Sequence, residues 1–543
     1  MQFNEKNNLC CRSPSRRSRR SHNVTTAVIA VLALVISILA WLFFIVSCFS
    51  PSRIFQGGPN SLSLSHPYIS YFPNHVSNDF TTHVISHAKN DDNIENNTNG
   101  LLLEHIVFGI GGSKQLWNTR KEFVKLWWRP NAMRGFVWLE EKVGIEENDD
   151  SLPPIMISED ISRFRYTHPT GNPSGLRISR IVSECFRLGL EKVRWFVLCD
   201  DDTIFNVDNL VQVLSKYDDS EMVYVGSPSE SHSANAYFSH SMAFGGGGIA
   251  ISWPLAEALF HMQDDCLERY PKLYGSDDRL HACITELGIP LSREHGFHQW
   301  DIRGSAHGLL AAHPIAPFVS IHHVEAVDPF YPGLSSLDSL KLFARAMNLE
   351  PMSFLQRAIC FDHTRSLTFM VSLGYVVQLF PHIVLPRELE RAELTYSAWN
   401  KIRNRNEFDL DIRDPHRSVC KKPVQFFLKD VGREGNYTTG LYKRTRGRDD
   451  MRRKVFCFPR QPPLHDVQHI EVIVNSINKN WHLVPRRLCC ELNYTSGGLK
   501  LALLCCALVD SKIVGTPALG NWRDYCCLHL FPMKEYLITK LRS

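Results

Sequence analysis

Three consecutive carboxylates, Asp200, Asp201 and Asp202, follow the apolar run Trp195 to Cys199 without a break. A short apolar run of this kind reads as a buried strand, so the acids stand where a core strand ends. Carboxylates this close repel one another unless a cation is supplied, and oxygen ligands favour hard Mg²⁺ or Mn²⁺. In open α/β sheets the ligand crevice lies at that same strand edge. The plainer alternative is an acidic turn in which Asp202 caps the next element of the chain. A metal–diphosphate site is the chemistry such a cluster would serve.

Three further stretches carry polar or permissive residues. Phe244 is followed by Gly245, Gly246, Gly247 and Gly248 and then by the apolar run from Ile249. Four glycines in a row suit a place where backbone must approach a ligand closely, or else a hinge. Asp277 and Asp278 stand just before a helical stretch, Leu280 to Leu287. There Ser276 could cap the helix and the two acids could complement its dipole, or one of them could act as a general base. His322 and His323 follow Ser320-Ile321. In an extended chain adjacent side chains face opposite ways, so at most one of the two would point into a given site.

The elements around these residues alternate between strand and helix. Leu101 to Leu103 and Ile106 to Phe108 look like an opening strand, and the turn Gly109 to Lys114 lacks the spacing of a phosphate loop. Lys121 to Trp128 reads as a helix stopped by Pro130, Gly135 to Leu139 as a strand, and Arg177 to Leu190 as a helix leading into the acidic strand. Val207 to Leu214 reads as a helix, Met222 to Val225 as a strand and Pro254 to Leu259 as a helix with proline near its start. This alternation argues an α/β sandwich. Beyond it, Leu367 to Phe380 looks like strand material and Pro386 to Trp399 like a helix. The basic group Lys443, Arg444, Arg446, Arg448, Arg452, Arg453 and Lys454 looks like a solvated loop.

At 543 residues the chain is too long for one compact core, and a net charge of +4 gives no argument for nucleic acid. Ala27 to Val46 is apolar with Ser37 its one polar residue, and twenty residues at about 1.5 Å each span about 30 Å of hydrocarbon. Arg12, Arg16, Arg17, Arg19 and Arg20 precede it, which places the N-terminus in the cytosol. The expectation is a single-pass type II protein in the Golgi membrane. It has a cytosolic tail over 1–23, a bilayer anchor over 24–49, a stem over 50–100, a lumenal catalytic domain over 101–345, a further region over 346–491 and a cysteine-containing tail over 492–543. Asn-x-Ser/Thr triplets at Asn96, Asn436 and Asn493 agree with a glycosylating compartment, and 16 cysteines agree with an oxidising one.

The motifs CDDDTIFNVDNL, MAFGGGGIAIS, YGSDDRLHACI and SIHHVE, in this order, resemble the Fringe-like β-1,3-glycosyltransferases. HIVFGIGGSKQLWNTRKEFVKLWWRP, GFHQWDIRG and LGYVVQLFPHIVLPRELERAE further resemble the plant Fringe-related branch of that family. The resemblance implies a GT-A fold, an Asp-x-Asp element that binds a divalent metal, a UDP-sugar donor, a glycan or glycoprotein acceptor, and inversion at the anomeric carbon. It implies Asp202 with His322 or His323 as metal ligands, Asp200 or Asp201 near the nucleotide, and Gly245 to Gly248 lining the donor and acceptor site. It also implies Asp278 as base, with Asp277 the near alternative. Cys199 departs from the smaller residue expected before the acids. A glycan-binding protein that kept the fold without the activity is the rival reading.

Overall fold

The computed structural model describes residues 37, 100–144, 149–458, 462–475, 488–496 and 498–505. The chain divides into two units, 1–93 and 94–543, and all described residues except Ser37 belong to the second. The expected anchor, Ser37 apart, and the stem before Gly100 lie outside the described residues. Among the described residues no helix is long and apolar enough to cross a membrane.

Two sheets organise the second unit. The first has seven strands in the order Ile155–Ile157, Arg134–Leu139, Ile106–Gly111, Trp195–Asp200, Ile249–Ser252, Tyr224–Gly226 and Leu291–Arg293. Ile249–Ser252 runs antiparallel to both neighbours, and the other pairs are parallel. The two central strands are buried almost throughout, as expected of strands covered on both faces. From Ile106–Gly111 the chain adds strands on one side and then returns to lay Trp195–Asp200 on the other. The strand order therefore reverses beside Gly111 and Asp200, which pair with each other. Ligand crevices form at this kind of switch point.

The second sheet has eight strands: Arg357–Asp362, Leu367–Ser372, Val376–Phe380, Val424–Glu434, Tyr437–Arg444, His469–Asn475, Gly498–Cys505 and Leu488–Thr495. Its first and last strands are tied together by the Cys360–Cys490 disulfide and by the Tyr494 hydroxyl, which donates to Asp362 at 2.7 Å. Leu488–Thr495 runs across position 491, so sheet pairing continues into the expected tail as far as Cys505. Two more disulfides join Cys266 to Cys283 and Cys420 to Cys457. One apolar cluster runs from Phe108 in the first sheet to Leu503 in the second, and a separate cluster fills the first sheet's other face.

Several local expectations are corrected. The helix near Lys121 is Lys114–Val124; after it Trp127 and Trp128 turn into the core against Phe108 instead of continuing the helix. The stretch Arg177 to Leu190 is two helices, Ser174–Ser179 and Ile181–Arg187. They break at Arg180, whose buried guanidinium reaches Asp264, Glu159 and Glu184. Leu367 to Phe380 is strand as expected, folded into a hairpin that turns at Gly374, where φ is +80°. Only Pro386–Glu390 is helical in the expected Pro386–Trp399 helix; Tyr396–Ala398 instead pairs with Ile302–Gly304. Lys443, Arg446, Arg448, Arg452 and Lys454 of the basic cluster are exposed as expected, but of these only Arg446 lies in a loop; Lys443 is at a strand end and the others are on a helix. Arg444 and Arg453 are buried, and Arg444 reaches Asp450 and the carbonyls of Leu464 and Val467.

The disulfide between the edge strands spans 130 residues of chain, long enough to constrain the unfolded state strongly. Replacing both partners, Cys360→Ser with Cys490→Ser, is expected to cost about 2–5 kcal/mol. Urea unfolding measures this, and an unchanged midpoint would show that the closure of the sheet does not depend on the bridge.

Candidate metal and active site

The acidic turn is built by the end of a central strand. Trp195–Asp200 delivers Asp200 to the rim, and the chain then turns so that the Thr203 amide donates to the Asp200 carbonyl at 3.1 Å. Ile204–Phe205 pairs antiparallel with Ser320–Ile321, which brings His322 over the same turn. Asp200, Asp202 and His322 each offer a ligand atom, and these atoms lie within 4.8 Å of one another. His322 Nε2 stands 3.1 Å from Asp202 Oδ1 and 3.4 Å from Asp200 Oδ2.

Asp201 faces elsewhere. Its Oδ1 accepts from Arg120 Nη1 at 2.8 Å, and Arg120 Nη2 lies 3.3 Å from Asp202 Oδ2 and 2.9 Å from Glu325. Arg120 was not among the expected site residues. One arginine inside the helix Lys114–Val124 looks like any other, and no local signal separates it.

Burial and these charges set the protonation. Burial lifts the Asp200 and Asp201 carboxyls to about 6, with Asp202 adding to both. Asp202 is held below the ordinary carboxylate range: burial pushes it up, but His322 and Arg120 outweigh that. For His322 burial alone would lower the imidazole; Asp202 and then Asp200 override it and raise it to about 9.

The set fits a divalent ion. Two carboxylates and one imidazole suit Mn²⁺ or Mg²⁺, which take oxygen ligands with some nitrogen. Asp202 Oδ1 and His322 Nδ1 are buried and lack any hydrogen bond of good geometry, although Oδ1 faces the His322 ring. Buried polar atoms without partners are uncommon, and a ligand is one explanation for them.

The four glycines are packed, not hinged. A Cβ on Gly245 would stand 2.6 Å from Asp277 Oδ1, and one on Gly246 would stand 2.2 Å from the His322 ring. Gly247 donates to Gln299 Oε1 at 2.8 Å, and Gly248 has φ +102°, a conformation glycine adopts readily. Thr203 Oγ1 donates to the Gly246 carbonyl at 2.7 Å and ties this loop to the acidic turn.

The two aspartates of the next helix divide. In Ser276–Glu286 the N-cap is Gly275, not Ser276, and Asp278 reaches back to accept from the Gly275 amide at 2.9 Å and the Tyr274 amide at 2.7 Å. Asp278 thus caps the helix. Asp277 accepts from the Gly245 amide and lines one small cavity with Asp200, Gly245 and Ser276. Burial raises its carboxyl to about 6, against the pull of Gly245 and Ser276. Of the histidine pair, His322 enters the acid cluster. His323 takes φ +55°, stacks on His322 and places Nδ1 3.3 Å from Asp301.

Residues 103–304 match the model of the Fringe-like family, and residues 234–490 match a family described as protein of unknown function, DUF604. A mouse beta-1,3-glucosyltransferase is 31% identical over 108 residues, and its human counterpart is 31% identical over 109. Each alignment covers 20% of this chain, and the chain spans only 21% of the length of either relative. Among solved structures, the apo form of mouse xyloside xylosyltransferase 1 shares 10% identity, covering 42% of this chain and 99% of that one, with a TM-score of 0.24. A glycosyltransferase involved in glycosylation of the PBCV-1 major capsid shares 14%, covering 44% and 97%, with a TM-score of 0.22. Overlaps this weak carry no functional argument.

Because His322 holds a proton between two carboxylates, a metal ion must displace that proton. Mn²⁺ affinity is therefore expected to rise about tenfold per pH unit from about pH 6 to 8, with close to one proton released per ion. Titration calorimetry in buffers of different ionisation enthalpy measures this; a pH-independent affinity would show that His322 carries no proton in the metal-free site.

Proposed function

We propose that the chain is an inverting, metal-dependent glycosyltransferase that moves a hexose or N-acetylhexosamine from a UDP-sugar to a hydroxyl of a glycan or glycoprotein, in β-1,3 linkage. The observation that carries this is the meeting of Asp200, Asp202 and His322 at the reversal point of the first sheet, with Asp277 and the glycine loop beside them. The Fringe-like match over 103–304 contains the acidic turn, the glycines and Asp277. Membership of the plant branch is part of the proposal.

Asp200, Asp202 and His322 would hold Mn²⁺ or Mg²⁺. When bound, such an ion supplies positive charge to the departing diphosphate. Arg120 neutralises Asp201 and leans on Asp202, so the third carboxylate does not compete for the ion. Gly245 and Gly246 keep the floor of the site free of side chains where Asp277 and His322 press against it. Asp277 takes the proton of the acceptor hydroxyl as that oxygen bonds to the anomeric carbon. The bond from that carbon to phosphate oxygen breaks in the same step, and its electron pair leaves on UDP. One displacement with one base inverts the centre and uses no protein nucleophile.

The proposed setting is the Golgi lumen, with residues 24–49 anchoring the chain in the bilayer. Three disulfides support an oxidising compartment, and Asn436 and Asn493 are exposed.

The full-length protein screened against UDP-sugars with Mn²⁺ tests the reaction class through UDP release and glycan product. Asp277→Asn is expected to lower transfer about 10²–10⁴-fold while Mn²⁺–UDP still binds. Asp278→Asn should instead cost about 1 kcal/mol of stability through the lost helix cap and leave transfer within a few-fold. Equal turnover by wild type and Asp277→Asn would remove Asp277 from the role.

A further inference from the structure

His322 lacks the usual support of a metal-binding histidine. Its Nδ1 is buried with no hydrogen-bond partner, so among the described residues the carboxylates at Nε2 are its only polar anchors and nothing polar holds the far side of the ring. Packing holds that side. Gly246 lies against Cε1 and Nδ1, and the His323 ring stacks on His322 with centroids 3.8 Å apart and planes 30° apart. The stack continues: the His323 ring lies 4.5 Å from that of Trp399 at 29°, and Arg303 Cζ sits 4.1 Å from the Trp399 ring centre.

This stack is built at some cost. His323 holds φ +55°, a left-handed conformation that costs a non-glycine residue about 1–3 kcal/mol unless its surroundings hold it there. Asp301, fixed by Ser229 at 2.5 Å and by Gln299 at 3.3 Å, faces His323 Nδ1. Trp399 is placed by the pairing of Ile302 with Ala398, and its carbonyl accepts from Arg303 Nε at 3.2 Å. Its indole is 43% exposed, so it does little to fill the core. Position 399 lies beyond the Fringe-like match and inside the match to the family of unknown function.

We propose that Trp399 is a positioning residue for the metal site: through the His323 ring it holds His322 in ligating orientation. The inference rests on the proposed metal site of Asp200, Asp202 and His322.

Mn²⁺ binding to the full-length protein, followed by electron paramagnetic resonance with no donor present, tests it. Trp399→Leu, which keeps bulk but loses the flat ring, is expected to weaken Mn²⁺ about tenfold. Trp399→Phe should stay within about threefold of wild type. The Leu variant's melting temperature should match wild type, and its turnover at saturating Mn²⁺ should recover. If wild type binds Mn²⁺, Asp202→Ala does not, and Trp399→Leu binds as wild type does, the metal reading stands and the positioning role is overturned. If wild type binds no Mn²⁺, both fall.

Discussion

Charge balance at the rim of the first sheet is the constraint on which the other features depend. Two like charges about 4 Å apart cost about 4 kcal/mol at the effective dielectric near a protein surface. Asp200, Asp201 and Asp202 are consecutive, and Asp277 adds a fourth acid to the Asp200 cavity. The fold offsets this with two cationic groups: Arg120, shared between Asp201 and Asp202, and a proton on His322, shared between Asp202 and Asp200. Only the second can be exchanged for a metal ion. The arginine is a fixed counter-charge; the histidine proton occupies the place that a divalent cation would take.

Supplying those counter-charges draws in distant parts of the chain. Arg120 comes from the first helix, His322 from a strand end some two hundred residues later, and the glycine floor from the loop between them. The second sheet shares its apolar core with the first, from Phe108 to Leu503. Residues 234–304 lie within both family matches. Trp399 stacks on His323 beside the acidic turn, with Arg303 over its ring. A region that shares the core and touches His323, the neighbour of His322, is part of one folding unit with the acidic turn, not an appended module.

How much of this was legible in the sequence depends on whether local chemistry or tertiary geometry decided. The apolar run ending in three acids specified both a strand and its polar rim, because apolar side chains give way to charged ones there within one residue. Val207–Leu214 was legible because its apolar period is helical and Asn206 caps it. The choice between Asp277 and Asp278 was not legible: adjacent acids at a helix start look equivalent until the backbone shows which one reaches back to the free amides. The stacked histidines were hidden by the same limit, since alternation assumes an extended chain and His323 is left-handed. Trp399 sat in a stretch that reads as helix after Pro386, and only its pairing with Ile302–Gly304 makes it a strand end. Arg444 and Arg453 read as solvated because charge runs usually are; each is buried against acceptors that come from other parts of the sequence.

The glycine loop links the two halves of the proposed chemistry. Asp277 presses on Gly245 and His322 on Gly246, so neighbouring backbone units set the separation between the proposed base and the proposed metal ligand. A loop with side chains at these positions would push the two groups apart. A floppy one would let that separation vary, and catalysis by a positioned base tolerates little variation. Here the loop is held on both sides, by Thr203 at the Gly246 carbonyl and by Gln299 at the Gly247 amide. Absence of side chains therefore serves rigidity and close approach at once. The four glycines act as a spacer, which accounts for their position between the acidic turn and the helix that carries the base.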